Sequence, residues 1–457
     1  MRIIIDIQCF GTASRYRGVG NYALALVKKI LEINNKHEII LLANTNAKEA
    51  LAFINNEFDG VIKENTLKSF HCFENTNEMF TANLPYIIIS EKIRSHVIDS
   101  LKPDFVLISA LFEGSDNNFV CSIDKDRDYK VGVIGYDLIP LMNEDIYLSD
   151  NQVKSWYFRK LESLKNSDYI FSISESARIE FKTLLSTADE KLLNISSAVD
   201  DSYHEASIQA ETVITELSID RPFILYSGAC DERKNLKGLL NAFSKLESDV
   251  INKYQIVLVG KYPEAGKQEL DKLANKLQLA TDTIIYTGFI TNEFLKSLYK
   301  ECKVFVFPSF HEGFGLPVLE AMTCGAPTIC SNASSLPEVI GIEEAMFNPY
   351  DVNDIKLKLF KSLEDDEFRD LLIANARERS KLFSWSYTAD KLLTFINENI
   401  EPRTQFLDYN ESYKLFIHEL SELINQYSFD DLTIKYISRY IAANQKECDS
   451  WLISTNS

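Results

Sequence analysis

Two glutamates, Glu312 and Glu320, stand eight residues apart in the stretch KVFVFPSFHEGFGLPVLEAMTCG (303–325), separated by GFGLPVL. Paired carboxylates first suggest acid/base chemistry. The surrounding residues point elsewhere. An apolar run ends at Pro308-Ser309, a glycine-containing loop follows, and a helix is expected to open near Leu316, with Pro317 in its first turn and Gly325 at its stop. Ligands of open parallel sheets bind beyond the carboxyl ends of the strands, where the free N–H groups of a helix start favour an anion. Glu320, about one turn into that helix, is suited to accept two hydrogen bonds from a vicinal diol such as a ribose. Glu312 lies in the loop, nearer the reacting end. An acid favoured by the helix dipole is the plain alternative for Glu320, but it leaves Gly313, Gly315 and the strand context unexplained.

A second junction of the same kind is LYSGACDERKNLKGLL (225–240), in which Gly228 ends an apolar run and Arg233 and Lys234 precede a helix starting near Asn235. Two adjacent cations at a strand–turn–helix junction can neutralise a diphosphate; taken singly, they read as a solvated basic corner. A third is GTASRYRGVGNYALALV (11–27), where Gly18 and Gly20 follow the first apolar run. A bare G-x-G usually means a tight turn.

The elements that must hold these loops are legible as alternation. RIIIDI (2–7), EIILLA (38–43), FVLIS (105–109), KVGVIGYD (130–137) and YIFSIS (169–174) form one series of apolar runs. FILYSG (223–228), YQIVLVG (254–260), TIIYTG (283–288), KVFVFPS (303–309) and APTICS (326–331) form another. Longer amphipathic stretches separate them, so parallel βαβ units with strands buried on both faces are expected. At 457 residues the chain exceeds one core. The expected architecture is α/β, with Rossmann-like domains over 1–200 and 222–383 facing across a cleft. A linker over 201–221, a helix over 384–400 and a helical tail over 401–457 complete it. In the tail, Leu415, Phe416, Leu420, Leu423 and Ile424 are expected to line one helical face.

The formal net charge of −19 opposes nucleic-acid binding and broad adhesion to an anionic membrane. Arg2, Arg15, Arg17, Lys28, Lys29 and Lys36 give the first forty residues a modest positive excess. Ordinary surface charge is the first reading of it, and anion or peripheral membrane contact the second. The eight cysteines lack C-x-x-C or metal-ligand spacing and read as reduced core thiols. No run approaches a membrane span and no cleavable signal pattern opens the chain, so a cytoplasmic protein is expected.

Through Glu312 and Glu320 the sequence resembles the retaining GT-B glycosyltransferases of the large family four, whose signature is E-x7-E. The segments LYSGACDERKNLKGLLNAF, IVLVGK, YTGFITNEFLKSLYKECKVFVFPS, TICSNASSLPEV and FSWSYTADKLL extend the likeness from Met1 to about Ile400. More narrowly, IDIQCFGTASRYRGVGNYAL, LFEGSDNNF, YDLIPLMNEDIYL and ISESARIEF are similar to bacterial mannosyltransferases that build polymannose O-antigen or related surface glycans from GDP-mannose. DLTIKYISRYIAANQ resembles the segment joining modules of tandem transferases, which implies a place in a larger transferase assembly.

The resemblance implies a nucleotide-sugar donor, expected to be GDP-mannose, a glycan or lipid-linked acceptor, and neither cofactor nor metal. It assigns the ribose to Glu320. It assigns the donor sugar and distal phosphate to Glu312 with the amides of Phe314, Gly315 and Leu316. The diphosphate goes to Arg233 and Lys234, with Gly18, Gly228 and Gly260 lining its path, and the base to the main chain near Ile290. Glu312, Asp137, Lys234 and Arg233 are the implied catalytic groups. Arg17, Tyr22 and Tyr136 are the implied acceptor contacts. Two departures stand out: Ala229 occupies a position where relatives often carry arginine, and Tyr136-Asp137 occupies the region of a family histidine. A UDP-sugar transferase or phosphorylase of the same fold, and an inactive glycan- or partner-binding module, are the competing readings.

Overall fold

The computed structural model describes all residues except 46–47, 64, 75, 116–118, 205–209 and 456–457. Positions 116–118 of LFEGSDNNF and 205–209 of the expected linker therefore lie outside the described residues. The chain divides into two compact units. One comprises Met1–Ser172, Glu180–Ile195 and Ser386–Ser457; the other comprises Ile173–Ile179 and Ser196–Trp385.

In the first unit the apolar runs become β1 (Arg2–Asp6), β2 (Glu38–Asn44), β4 (Phe105–Ile108), β5 (Lys130–Gly135) and β6 (Tyr169–Ser172). Two further strands, β3 (Leu67–Phe70) and β7 (Leu192–Asn194), close the edges. All described pairings are parallel and the order is β3-β2-β1-β4-β5-β6-β7. The near-continuous apolarity has its expected cause: every residue of β4 and all but the first of β1 are buried.

The second unit repeats the plan with β8 (Phe223–Ser227), β9 (Gln255–Val259), β10 (Ile284–Gly288), β11 (Val304–Phe307), β12 (Thr328–Ser331) and β13 (Met346–Phe347), in the parallel order β10-β9-β8-β11-β12-β13. Each sheet is thus a Rossmann-like, doubly wound one. The winding reverses between β1 and β4 in one and between β8 and β11 in the other, which are the switch points where such sheets open a crevice. The edge strands β3, β7 and β13 went unanticipated because they are two to four residues long and carry no sustained apolar run.

The 401–457 region adds the helices Tyr409–Tyr427 and Asp431–Thr455 to the first unit. Its inward face differs from the expected one. Phe416 and Leu420 pack with Ile437 against Phe73, Ile89 and Ile93, supported by Tyr413, Ile417 and Ile424, while Leu415 is 53% exposed. The residues at 413, 416, 417, 420 and 424 follow the i, i+3, i+4, i+7, i+11 spacing of one helical stripe, which Leu415 breaks. Polar clasps reinforce the seam. Asn444 exchanges two hydrogen bonds with the His71 backbone (2.8 and 2.7 Å), and the Arg403 amide donates to Asp104 (2.7 Å).

All eight cysteines are free and six are buried. Of the early cations, Arg2, Lys28 and Lys29 are paired with Glu38, Glu57 and Glu32. Among the described residues, no helix is long and apolar enough to cross a membrane, and no group of three or more His, Cys, Asp and Glu is arranged to hold a metal ion.

Candidate active site

At the switch point of the second unit, the loops following β8 and β11 are stitched together. The strand ends close first. The Gly228 amide donates to Val259 and the Gly260 amide to Gly288, and a Cβ on Gly260 would lie 2.2 Å from the Gly228 oxygen. Only glycine fits there, so Gly228 and Gly260 have a packing role whatever else approaches them. Ala229 lends its carbonyl to the Tyr226 hydroxyl (3.1 Å). Asp231 then caps the short turn Glu232–Lys234 by accepting from the Arg233 amide (2.8 Å). Asn235, in the left-handed region at φ +54°, caps the helix Leu236–Phe243 through Gly238. These two caps fix the direction in which Arg233 and Lys234 leave the chain.

Both cations converge on Glu312. Lys234 Nζ lies 2.7 Å from one carboxylate oxygen and Arg233 Nη1 lies 3.0 Å from the other. Arg233 also donates to the His311 carbonyl, and the Phe310 amide returns a bond to the Arg233 carbonyl (2.8 Å). Lys234 Nζ sits 5.2 Å from the centroid of the Phe307 ring, a cation–π contact. Glu312 is buried. Burial alone would raise its pKa, but Lys234 and then Arg233 outweigh it and hold the carboxyl below its ordinary range. A buried carboxylate with two cations leaves the cluster one positive charge in excess.

The helix Leu316–Thr323 starts beside this cluster. Gly315 precedes it at φ +102°, and a Cβ there would strike Leu336 at 2.5 Å. The first-turn N–H groups have no partner inside the helix, and Pro317 removes one that would otherwise be orphaned. The loop is held from behind by serines. Ser334 Oγ accepts from the Glu312 amide (2.8 Å), and Ser335 Oγ bridges the carbonyls of Glu312 and Phe314 (2.9 and 2.8 Å). Ser174 donates to the Gly313 carbonyl (2.6 Å), while Glu338 accepts from the amides of Glu175 and Ser176 (2.8 and 3.0 Å).

Glu320 has tyrosine hydroxyls as its partners. It accepts from the Tyr299 hydroxyl (3.0 Å) and is hydrogen-bonded by Tyr203. Burial, only partly offset by those hydroxyls, pushes its pKa up to about 7. The two glutamates therefore have opposed environments. Glu312 is a fixed anion and Glu320 a carboxyl near its titration point. Ile290 lies in the turn between β10 and the helix Asn292–Glu301, next to Gly288 at φ +69° and to Phe289, which is 87% exposed.

In the first unit, the helix Gly18–Ile33 follows β1. Arg17 and Gly18 are exposed at its start, with nothing within 4 Å of a Cβ placed on Gly18. Gly20 is the sterically required glycine, because its Cβ would lie 2.2 Å from the Ser14 oxygen. Tyr22 departs from the expectation of acceptor contact, whereas Tyr136 is half-buried. Tyr22 is 2% exposed and meets Tyr136 edge-on at 5.4 Å, and the Tyr136 hydroxyl is spent on the carbonyls of Ser109 (2.9 Å) and Val19 (3.1 Å). The edge contact lies at the carboxyl end of β5, which Tyr136 directly follows, and Tyr22 has no surface left for a sugar to touch. Asp137 caps the turn after β5 by accepting from the Ile139 amide (3.1 Å).

Sequence reasoning missed Tyr203, Tyr299, Ser334, Ser335 and Glu338. The serines had a signal, since SNASSLPEV places Asn332, Ser334 and Ser335 directly after an apolar strand. Tyr299 had none, being one aromatic within a helical pattern.

Residues 208–379 match the family model of glycosyl transferases group 1. Serotype-specific mannosyltransferase WbdA of Escherichia coli is 36% identical over 394 residues, covering 85% of this chain and 47% of that protein. O-antigen chain mannosyltransferase B of Escherichia coli is 34% identical over 228 residues, covering 49% of this chain and 59% of that protein. The chain thus spans under half the length of the WbdA relative. Among solved structures, a glycosyltransferase from Rickettsia africae is similar at a TM-score of 0.63 and 15% identity, covering 87% of this chain and 98% of that one. HepE of Anabaena, solved with UDP and glucose, is similar at a TM-score of 0.61 and 13% identity, covering 87% and 100%.

Proposed function

We propose, starting from the membership of residues 208–379 in the glycosyl transferases group 1 family, that the chain is a retaining glycosyltransferase. It moves mannose from GDP-mannose onto a lipid-linked or saccharide acceptor during synthesis of a bacterial surface glycan. The observation that carries this reading is the convergence of Lys234 and Arg233 on Glu312 at the β8/β11 switch point, beside a helix start. The mannosyltransferase names of the two Escherichia coli relatives support the sugar.

Each group then has a task. The diphosphate lies against Lys234, Arg233 and the amides of Phe314, Gly315 and Leu316, whose positive ends need no reorganisation as negative charge grows on the leaving oxygen. Glu312 holds the two cations in place and, when the donor enters, shares them with it and hydrogen-bonds the sugar. Glu320 accepts the ribose hydroxyls, and the backbone near Ile290 meets the base. The acceptor hydroxyl attacks the anomeric carbon from the face the diphosphate leaves. The carbon–oxygen bond to phosphate breaks, and a phosphate oxygen takes the acceptor proton. Arg233 serves in place of the arginine that Ala229 replaces. The excess positive charge and the helix amides stand in for a metal. The protein acts in the cytoplasm, peripherally where its acceptor is lipid-linked, as one module of a larger transferase assembly.

A panel of nucleotide sugars incubated with the chain and an α-mannoside acceptor tests the proposal. Transfer from GDP-mannose is expected; transfer only from a UDP-sugar, or phosphorolysis instead of transfer, would reject the donor assignment.

A further inference from the structure

A solvent-facing aromatic pair stands on the same sheet edge as the cations, outside every role given above. The Tyr350 ring stacks on that of Phe310 with centroids 4.8 Å apart and planes 21° apart, yet Tyr350 remains 75% exposed. One face of the tyrosine is spent on Phe310 and the other is open. The pair is mounted firmly. The Phe310 amide is bonded to the Arg233 carbonyl (2.8 Å), and Asn235 Nδ2 is bonded to the Pro349 carbonyl (2.9 Å). The Tyr350 amide donates to Asn348 Oδ1 (3.0 Å), and the Asn348 amide donates to Asp354 (2.7 Å). Both rings are thus braced against the loop that carries Arg233 and Lys234.

Strand order gives the edge a direction. β10 and β13 are its two ends, with β8 and β11 between them. Glu320 faces Tyr299, which belongs to the helix following β10, whereas Phe310 follows β11 and Tyr350 follows β13. A nucleotide sugar lying with its nucleoside toward β10 and its diphosphate on Lys234 and Arg233 points its sugar toward β13. The acceptor hydroxyl reaches the anomeric carbon on the face the diphosphate leaves, so the saccharide that bears it lies alongside Lys234 and Arg233, against whose loop the Phe310–Tyr350 pair is braced.

We infer that Tyr350, braced by Phe310, is a stacking platform for a pyranose ring of the saccharide acceptor. The axial C–H bonds of a pyranose face carry partial positive charge and meet the negative face of an aromatic ring. A ring already immobilised by its neighbour loses little further freedom on binding. The inference rests on the reading of the chain as a glycosyltransferase, but its test does not depend on turnover.

The test titrates the full chain with α-linked mannotetraose, followed by saturation-transfer NMR, and separately with GDP. Tyr350→Ala is expected to weaken mannotetraose about two- to tenfold, with GDP affinity unchanged, and Tyr350→Phe to retain it. Unchanged mannotetraose affinity in Tyr350→Ala would overturn the inference. So would a parent chain that does not bind mannotetraose, or an equal loss of GDP affinity. A lowered melting temperature with saccharide binding intact would make Tyr350 a cover for Phe310 and overturn it too. Should the parent chain bind mannotetraose through Tyr350 yet transfer nothing from any nucleotide sugar, the platform stands and the transferase reading falls.

Discussion

Lys234 Nζ lies 2.7 Å from Glu312 Oε1, so the cation assigned to the diphosphate and the acid assigned to the sugar form one ion pair. A donor diphosphate that enters this site competes with a carboxylate already in place. The pair keeps Lys234 desolvated and aimed, and Glu312 keeps Arg233 on its other oxygen. Preorganised charge of this kind is the largest single contribution many enzymes make to lowering a barrier.

Lys234→Ala should therefore lower sugar transfer by about 100-fold or more, with the helical circular dichroism of the chain preserved because Arg233 still pairs Glu312. Lys234→Arg restores charge but not the compact ammonium that fits between Glu312 and Phe307, and should recover only part of the loss. Initial rates with GDP-mannose read both.

Donor binding should depend on pH through Glu320. Its folded pKa of about 7 lies above its ordinary value of 4.5, so the fold favours the neutral acid. That contribution to stability is fully present below pH 4.5 and is lost as pH rises through about 7. The ribose recognition proposed for Glu320 should run the other way, because an ionised carboxylate can accept both hydroxyl hydrogens. GDP affinity measured by calorimetry should tighten by up to about tenfold between about pH 6 and pH 8. Glu320→Gln should flatten the profile; an identical profile in that variant would remove Glu320 from the nucleotide site.

Much of this site was legible in the sequence because it is built from local signals. A buried strand, a glycine, a charged turn and a helix start are each encoded within about ten residues, and Gly228, Arg233, Lys234, Glu312 and Gly315 all sit on such stretches. Sequence reasoning could not see partners that meet only through the fold. The Tyr203 and Tyr299 hydroxyls on Glu320, and the use of Glu312 as the anchor of both cations, join residues 78 or more positions apart or on separate elements, which only the strand order β10-β9-β8-β11 and the packing around it bring together. Tyr22, which the family resemblance implied as an acceptor contact, is 2% exposed, and only packing reveals that.

The region after residue 400 should prove integral to the first unit. His96 stacks face to face on Phe416 at 4.2 Å, and burial lowers its pKa to about 4. Neither ring nitrogen has a hydrogen bond. The unfolded chain binds a proton near pH 6.5 that the folded chain refuses, so stability is present above that pH and is lost as pH falls toward 4. At pH 5 the loss should be about 2 kcal/mol from this residue, read by urea unfolding, and His96→Phe should reduce the slope. Phe416→Ala should cost about 3 kcal/mol in the same assay, whereas Leu415→Ala, on the exposed side, should cost little.

The stereochemistry of the first product is the most direct measurement. Anomeric proton NMR during turnover of GDP-α-mannose with an α-mannoside acceptor should show the new linkage formed as the α-anomer from the earliest time points, with GDP released in equal amount. Formation of a β-linkage, or GDP-mannose left unconsumed while another nucleotide sugar is used, would contradict same-face transfer of mannose at Glu312 and Lys234.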